Sequence, residues 1–173
     1  MRRARMTIAA TVAGTALSLL GTGVASAGTG PKPSGPSAAA GSVGTEVGNP
    51  SSSAAQAAGV CSDAYQIGTT SYINRNTETI ASVKQFYSPG CDENYGYLWV
   101  WKSFLDKNIN FDLTVGVWSY DRDSLVGTRT VFDTHGQEFW GNAANTVGEC
   151  TSGYGLIAIT DEPSNEVRTE KRC

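Results

Sequence analysis

Apolar and polar residues alternate with a period of two through the second half of the chain. Tyr95, Tyr97, Trp99 and Trp101 alternate with Gly96, Leu98, Val100 and Lys102. Phe111, Leu113, Val115 and Val117 alternate with Asp112, Thr114, Gly116 and Trp118. A period of two sends successive side chains to opposite faces, so both segments read as β-strands. Weaker alternation predicts strands over 65–73, 79–87, 126–132 and 154–160, with a last one at 166–172. Turn-forming clusters separate them: Asn74-Arg75-Asn76, Ser88-Pro89-Gly90, Asp106-Lys107-Asn108, Asp121-Arg122-Asp123 and 161–165. Residues 137–147 fit one short helix, with Phe139, Ala143 and Val147 at i, i+4 and i+8. The pattern predicts an all-β fold, a small antiparallel sandwich or barrel of about six or seven strands.

The first part of the chain has a different pattern. Arg2, Arg3 and Arg5 precede an apolar run over 7–20, followed by Val24-Ala25-Ser26-Ala27. This reads as a secretory signal cleaved after Ala27. The apolar run is shorter than the roughly 20 residues that span a bilayer, so no membrane anchor is expected after cleavage. Of the 32 residues from 28 to 59, 26 are Gly, Ser, Pro, Ala or Thr, and none is aromatic. Such a segment cannot by itself bury enough apolar surface to offset its ordering entropy. A flexible linker is therefore expected over 28–60, with a weak helical tendency at 51–58 and nothing to anchor it.

Every aromatic residue and all four cysteines fall in 61–173, a single-domain length. This stretch carries 9 basic and 15 acidic residues, giving −6. An acidic domain repels phosphate backbones, so nucleic acid is not an expected partner. Cys61, Cys91, Cys150 and Cys173 in an exported chain read as two disulfides. Three connectivities exist, and the smaller loops favour Cys61–Cys91 with Cys150–Cys173. A zinc site needs close cysteine pairs, and none is present.

The segment Val83-Lys84-Gln85-Phe86-Tyr87-Ser88-Pro89-Gly90-Cys91 follows an opening Cys61 and precedes Trp99 and Trp101. Over 61–101 the chain resembles a family of small secreted actinobacterial domains of unknown function, which have an early Cys, then Tyr-Ser-Pro-x-Cys, then Trp. The resemblance implies export and a Cys61–Cys91 link. It brings no catalytic residue.

Candidate chemistry is sparse. His135 is the only histidine, and Ser103, Ser119 and Ser124 are the nucleophiles it would have to serve. None lies in a nucleophile-elbow pattern, and Asp-Thr-His-Gly reads as a surface turn. Asp121-x-Asp123 opens like a calcium loop, but Leu125 and Val126 stand where a ligand and a glycine are required. A hairpin turn is expected there, and no cofactor or metal. A glycosidase needs two acids about 5–10 Å apart. Glu138, beside Phe139 and Trp140, is the best candidate, since apolar neighbours raise a carboxyl pKa, with Glu149 or Asp133 as its partner.

The aromatic strand is the main binding candidate. Tyr95, Tyr97, Trp99 and Trp101 share one face of one strand. Two readings stay open: a central strand buried on both sides, or an exposed ladder of rings that stacks on sugars or binds a protein. Trp118 and Tyr120 share parity on the next strand. A hairpin around 106–110 would merge both sets into one patch. Tyr95, Tyr97, Trp99, Trp101 and Trp118 are accordingly the candidate ligand contacts. The expected function is a secreted, noncatalytic module for a cell-wall or environmental polysaccharide, or for a protein. The alternative is a small secreted hydrolase using Glu138 and a second carboxylate.

Overall fold

Among the described residues, six other than glycine adopt the left-handed backbone conformation: Asn76, Asp92, Asn108, Asp123, Asp133 and Asp161. All are Asn or Asp, whose short polar side chains tolerate that region. All but Asp133 lie in or beside the turn clusters, and they set the corners of an antiparallel fold. The computed structural model describes residues 42–173. The signal segment 1–27 and linker residues 28–41 lie outside the described residues.

The described residues form eight strands: β1 (Tyr65–Arg75), β2 (Glu78–Ser88), β3 (Glu93–Val100), β4 (Phe111–Ser119), β5 (Ser124–Thr134), β6 (Glu138–Trp140), β7 (Thr151–Ala158) and β8 (Asn165–Arg168). They make two four-stranded antiparallel sheets, ordered β1-β2-β3-β6 and β5-β4-β7-β8. This is the all-β architecture that the alternation predicts. β3 and β4 do not form a hairpin. They are joined through the short helix Lys102–Leu105, whose Phe104 is fully buried, and lie in opposite sheets. Trp118 is therefore carried on a different sheet from Tyr95 and Tyr97, and the merged aromatic patch does not exist.

The helix expected over 137–147 is also replaced. Backbone pairing along the edge of β3 decides this. Val100 N donates to Gln137 O, Gly141 N to Gly96 O and Asn94 N to Ala144 O. Tyr97, Leu98 and Trp99 pair with Trp140, Phe139 and Glu138. A helix would leave that edge of β3 without partners. Phe139 then turns inward with Leu98, and Trp140 outward with Tyr97.

The sheets enclose a core that includes Val83, Leu98, Val100, Phe104, Phe111, Leu113, Val115, Phe139 and Ile157. They approach closely where side chains are missing. A Cβ on Gly96 would lie 2.2 Å from Gly116 O, and one on Gly153 would lie 2.6 Å from Lys84 O. At that pinch Gln85 Nε2 donates to Thr151 Oγ1 across the sheets at 2.7 Å. Both disulfides, Cys61–Cys91 and Cys150–Cys173, are formed. Among the described residues no helix is long and apolar enough to cross a membrane.

A second hydrophobic cluster lies on the outer face of the β1-β2-β3-β6 sheet, and it corrects the expected linker. Residues 42–60 form an ordered strap laid across that face. Ala55 and Val60 pack with Phe86, Tyr95, Tyr97 and Trp140. A one-turn helix, Ser53–Ala57, is capped by Ser52, whose Oγ accepts from Ala55 N at 3.0 Å. The composition argument weighed only what the strap's own side chains bury. What the strap covers is aromatic surface belonging to the sheet, and it does so with small residues and backbone. Gly48 shows the fit: its φ is +94°, and a Cβ there would lie 2.3 Å from the Phe86 ring.

Candidate functional site

β3 is buried on both sides, and this decides between the two readings of its aromatic face. Leu98 and Val100 point between the sheets and are 0 % exposed. Tyr95 and Tyr97 point the other way and are 1 % and 0 % exposed. They are not available as a ligand ladder, because the strap lies over them. Tyr97 and Phe86 both pack against Trp140, with ring centroids 4.5 and 4.7 Å apart. The Tyr97 hydroxyl donates to Thr45 O of the strap. Burial pushes its phenol well above the ordinary value, and the neighbouring Glu138 and Glu46 carboxylates push it the same way.

The strap is held by polar side chains rising from the sheet. Lys84 is buried, and its Nζ lies 3.0 Å from Glu46 Oε1 and donates to Glu46 O. Ser82 Oγ donates to Glu46 Oε1 at 3.0 Å. Glu138 Oε1 accepts from Ser52 Oγ at 2.8 Å and from Trp140 Nε1 at 2.9 Å. Gly44 sits so close that a Cβ there would meet the Glu138 carboxylate. Glu138 is thus engaged as an anchor for the strap. Its two expected partners are engaged elsewhere. Glu149 accepts from Ser119 and Arg122 on the other sheet, and Asp133 accepts from Asn110 Nδ2. His135 is exposed beyond the end of β5. Asp121 accepts from Cys150 N through Oδ2, a turn-closing contact.

Trp99, Trp101 and Trp118 remain as partly exposed aromatics. Trp118, on the outer face of the second sheet, is covered by Arg168, whose guanidinium carbon is 3.6 Å from the ring centroid. Trp99 shares a row with Tyr72: Tyr72 pairs with Ser82, and Ser82 pairs with Trp99. Trp101 lines an open groove of about 420 Å³ together with Tyr72, Thr79 and Ser103. Tyr72 is 50 % exposed. The structure therefore moves the aromatic surface along the sheet, from Tyr95 and Tyr97 toward Tyr72. Alternation in β1 is weak, and only the β1–β2 register reveals that Tyr72 faces outward on the same side of the sheet as Trp99, so strand periodicity missed it.

No family model, no curated protein and no solved structure matches this chain.

Proposed function

We propose that the protein is a secreted, noncatalytic binding module, that its contact surface is the groove between Tyr72 and Trp101, and that its ligand is a polysaccharide chain. One observation carries this reading. Two aromatic side chains and two hydroxyl-bearing side chains, Thr79 and Ser103, line one open groove on the outer face of a sheet. Aromatic faces stack on the apolar faces of sugar rings, and side-chain hydroxyls bond the ring hydroxyls. Trp99 lies in the same cross-strand row as Tyr72, two strands away with Ser82 between them. Export is supported by the basic start, the apolar run and the small residues ending at Ala27. It is also supported by two disulfides, which fit an oxidising compartment, and by the likeness of 61–101 to small secreted actinobacterial domains. The alternative, a hydrolase acting through Glu138, lacks comparable support, since that carboxylate is bonded to Ser52 and Trp140 beneath the strap.

The test is retention of the full chain on insoluble peptidoglycan, chitin or cellulose, with tryptophan fluorescence read on soluble fragments. Retention that Trp101→Ala and Tyr72→Ala each abolish, at unchanged melting temperature, supports the reading. Absence of retention and of any fluorescence shift overturns it.

A further inference from the structure

The two halves of the strap are held differently. In 49–60, Ser52, Ala55 and Val60 are buried, and the Cys61–Cys91 bridge pins the chain just beyond them. In 42–48 no residue is buried. Val43 and Val47 point to solvent, 83 % and 68 % exposed, while Gly44, Glu46 and Gly48 face the sheet. The ties of this half to the sheet are the bond from the Tyr97 hydroxyl to Thr45 O and the contacts of Glu46. A segment that buries no side chain of its own belongs to the low end of local stability, so 42–48 opens before 49–60.

Glu46 lies within the aromatic row. Tyr72, Ser82 and Trp99 are register partners across β1, β2 and β3. Neighbouring strands are about 4.8 Å apart, so the two aromatic residues stand about 10 Å apart with Ser82 midway. The Glu46 carboxylate rests on that midpoint. Its Oε1 accepts from Ser82 Oγ at 3.0 Å and lies 3.0 Å from Lys84 Nζ. Ser82 is 0 % exposed and the Lys84 side chain 4 %, whereas the Glu46 side chain is 33 % exposed and within reach of solvent. A hydroxyl and an ammonium on the sheet, flanked by two rings, thus form a seat for a carboxylate, and the strap supplies one. The strap also interrupts the row, so a chain lying on Tyr72 cannot continue across Ser82 to Trp99.

Resting on the reading of this face as a polysaccharide site, we propose that Glu46 is an internal stand-in for the ligand. The polysaccharide carries carboxylates on its sugar rings, and it binds in full by displacing 42–48. One carboxylate then takes the place of Glu46 on Ser82 and Lys84, and the sugar rings stack on Tyr72, Trp99 and the uncovered Tyr97. Charge selects this class. A neutral chain that lifted the segment would leave the Lys84 ammonium without its counter-ion, and breaking such a pair is costly. A cationic chain would face Lys84 directly. An acidic chain exchanges one carboxylate for another, and its stacking on the rings supplies the differential affinity that shifts the strap to its open position.

The probes are tetragalacturonic acid and its methyl ester, equal in length and different in charge, titrated against the full chain by calorimetry. The acid is expected to bind about tenfold more tightly than the ester, as expected for a charge-assisted contact. Glu46→Gln removes the competing carboxylate and should tighten the acid about tenfold, because more of the protein is open before binding. Lys84→Met combined with Glu46→Gln removes both charges, and acid and ester should then bind alike. Saturating acid should also speed proteolytic cleavage within 42–48 and leave 52–60 as resistant as before, which binding beside an unmoved strap does not do. Absence of acid binding at millimolar concentration overturns the proposal. So does equal binding of acid and ester to the wild type, unchanged affinity in Glu46→Gln, or cleavage within 42–48 that the acid slows. The groove reading survives those outcomes where retention on an insoluble polysaccharide still depends on Tyr72 and Trp101, and it falls separately where retention does not.

Discussion

Ser52 and Glu138, 86 residues apart in the chain, are joined by a 2.8 Å hydrogen bond from the Ser52 hydroxyl to Glu138 Oε1. The same hydroxyl oxygen accepts from Ala55 N and so caps the one-turn helix of the strap. One side chain thus starts the local structure of 53–57 and ties it to the sheet. Ser52→Ala removes both functions and should cost about 1–3 kcal/mol in denaturant unfolding. It should also speed proteolytic cleavage within 42–60. Glu138→Ala should act alike and leave the Trp140 N–H unpaired as well. The double variant should cost clearly less than the sum, because both changes break the same bond. Strict additivity would show that the tie is not energetically real.

The strap's larger effect is on what it covers. A chain beginning at Cys61 would expose Phe86, Tyr95, Tyr97 and Trp140, which are now 0–2 % exposed. A contiguous aromatic patch of that kind drives association. The shortened chain should bind an apolar dye and sediment as oligomers, whereas the chain from residue 42 onward should not. A monomeric, dye-negative 61–173 fragment would show that the outer face needs no cover.

The strands and corners were legible in the sequence because their causes are local. Period-two alternation marks β3 and β4, and turn residues such as Asn76, Asn108, Asp123 and Asp161 sit where the backbone goes left-handed. Cysteine spacing pointed to the two disulfides found. The errors share one physical origin, which is that a remote partner decided the outcome. Residues 138–140 are a strand because the edge of β3 needs hydrogen-bond partners. Residues 42–60 are ordered because Lys84, Glu138 and four rings await them on the sheet. The candidate surface was legible in kind, an aromatic face, but not in place. Whether Tyr97 meets solvent depends on the strap, whose composition carries no sign of docking.

The Lys84–Glu46 pair links a side chain that is 4 % exposed to one that is 33 % exposed. Glu46→Gln leaves the ammonium buried with weaker acceptors. Solvent reaching the carboxylate moderates the penalty, so the expected cost is about 1–3 kcal/mol rather than that of a fully buried pair. Lys84→Met with Glu46→Gln, which removes both charges, should recover part of the loss. If Glu46→Gln melts like the wild type, Glu46 O and water satisfy Lys84 without the ion pair.

The Cys150–Cys173 bridge closes a 23-residue separation and ties the end of the chain to the start of β7, where Arg172 pairs with Thr151. On the loop-entropy model, replacing both cysteines with serine should cost about 3 kcal/mol. The loss should appear mainly as fraying: faster amide exchange for Thr151, Thr169 and Arg172, with the β1–β2 amides less affected. Equal acceleration of exchange in both sheets would mean that the bridge braces the whole sandwich.

Asp63 is the clearest source of acid sensitivity. Its Oδ1 accepts from Ser88 Oγ at 2.5 Å and its Oδ2 from Gly90 N at 2.7 Å, fixing the turn that delivers Cys91 to Cys61. These bonds favour the charged form, the Ser88 hydroxyl most, and hold the carboxyl below its ordinary value. The folded pKa is therefore lower than the unfolded one, about 3.9 for a free Asp. The stability that this difference contributes is fully present above the unfolded value, and it is lost as pH falls through the folded one. Glu162, lowered by its bond to Arg75, acts in the same sense. The melting temperature should accordingly be flat near neutrality and fall below about pH 4. Asp63→Asn should melt lower at pH 7 and show a shallower decline in acid, so that the two curves converge at low pH. Parallel curves would mean that the turn is held by its backbone and the disulfide alone, with the Asp63 charge contributing nothing.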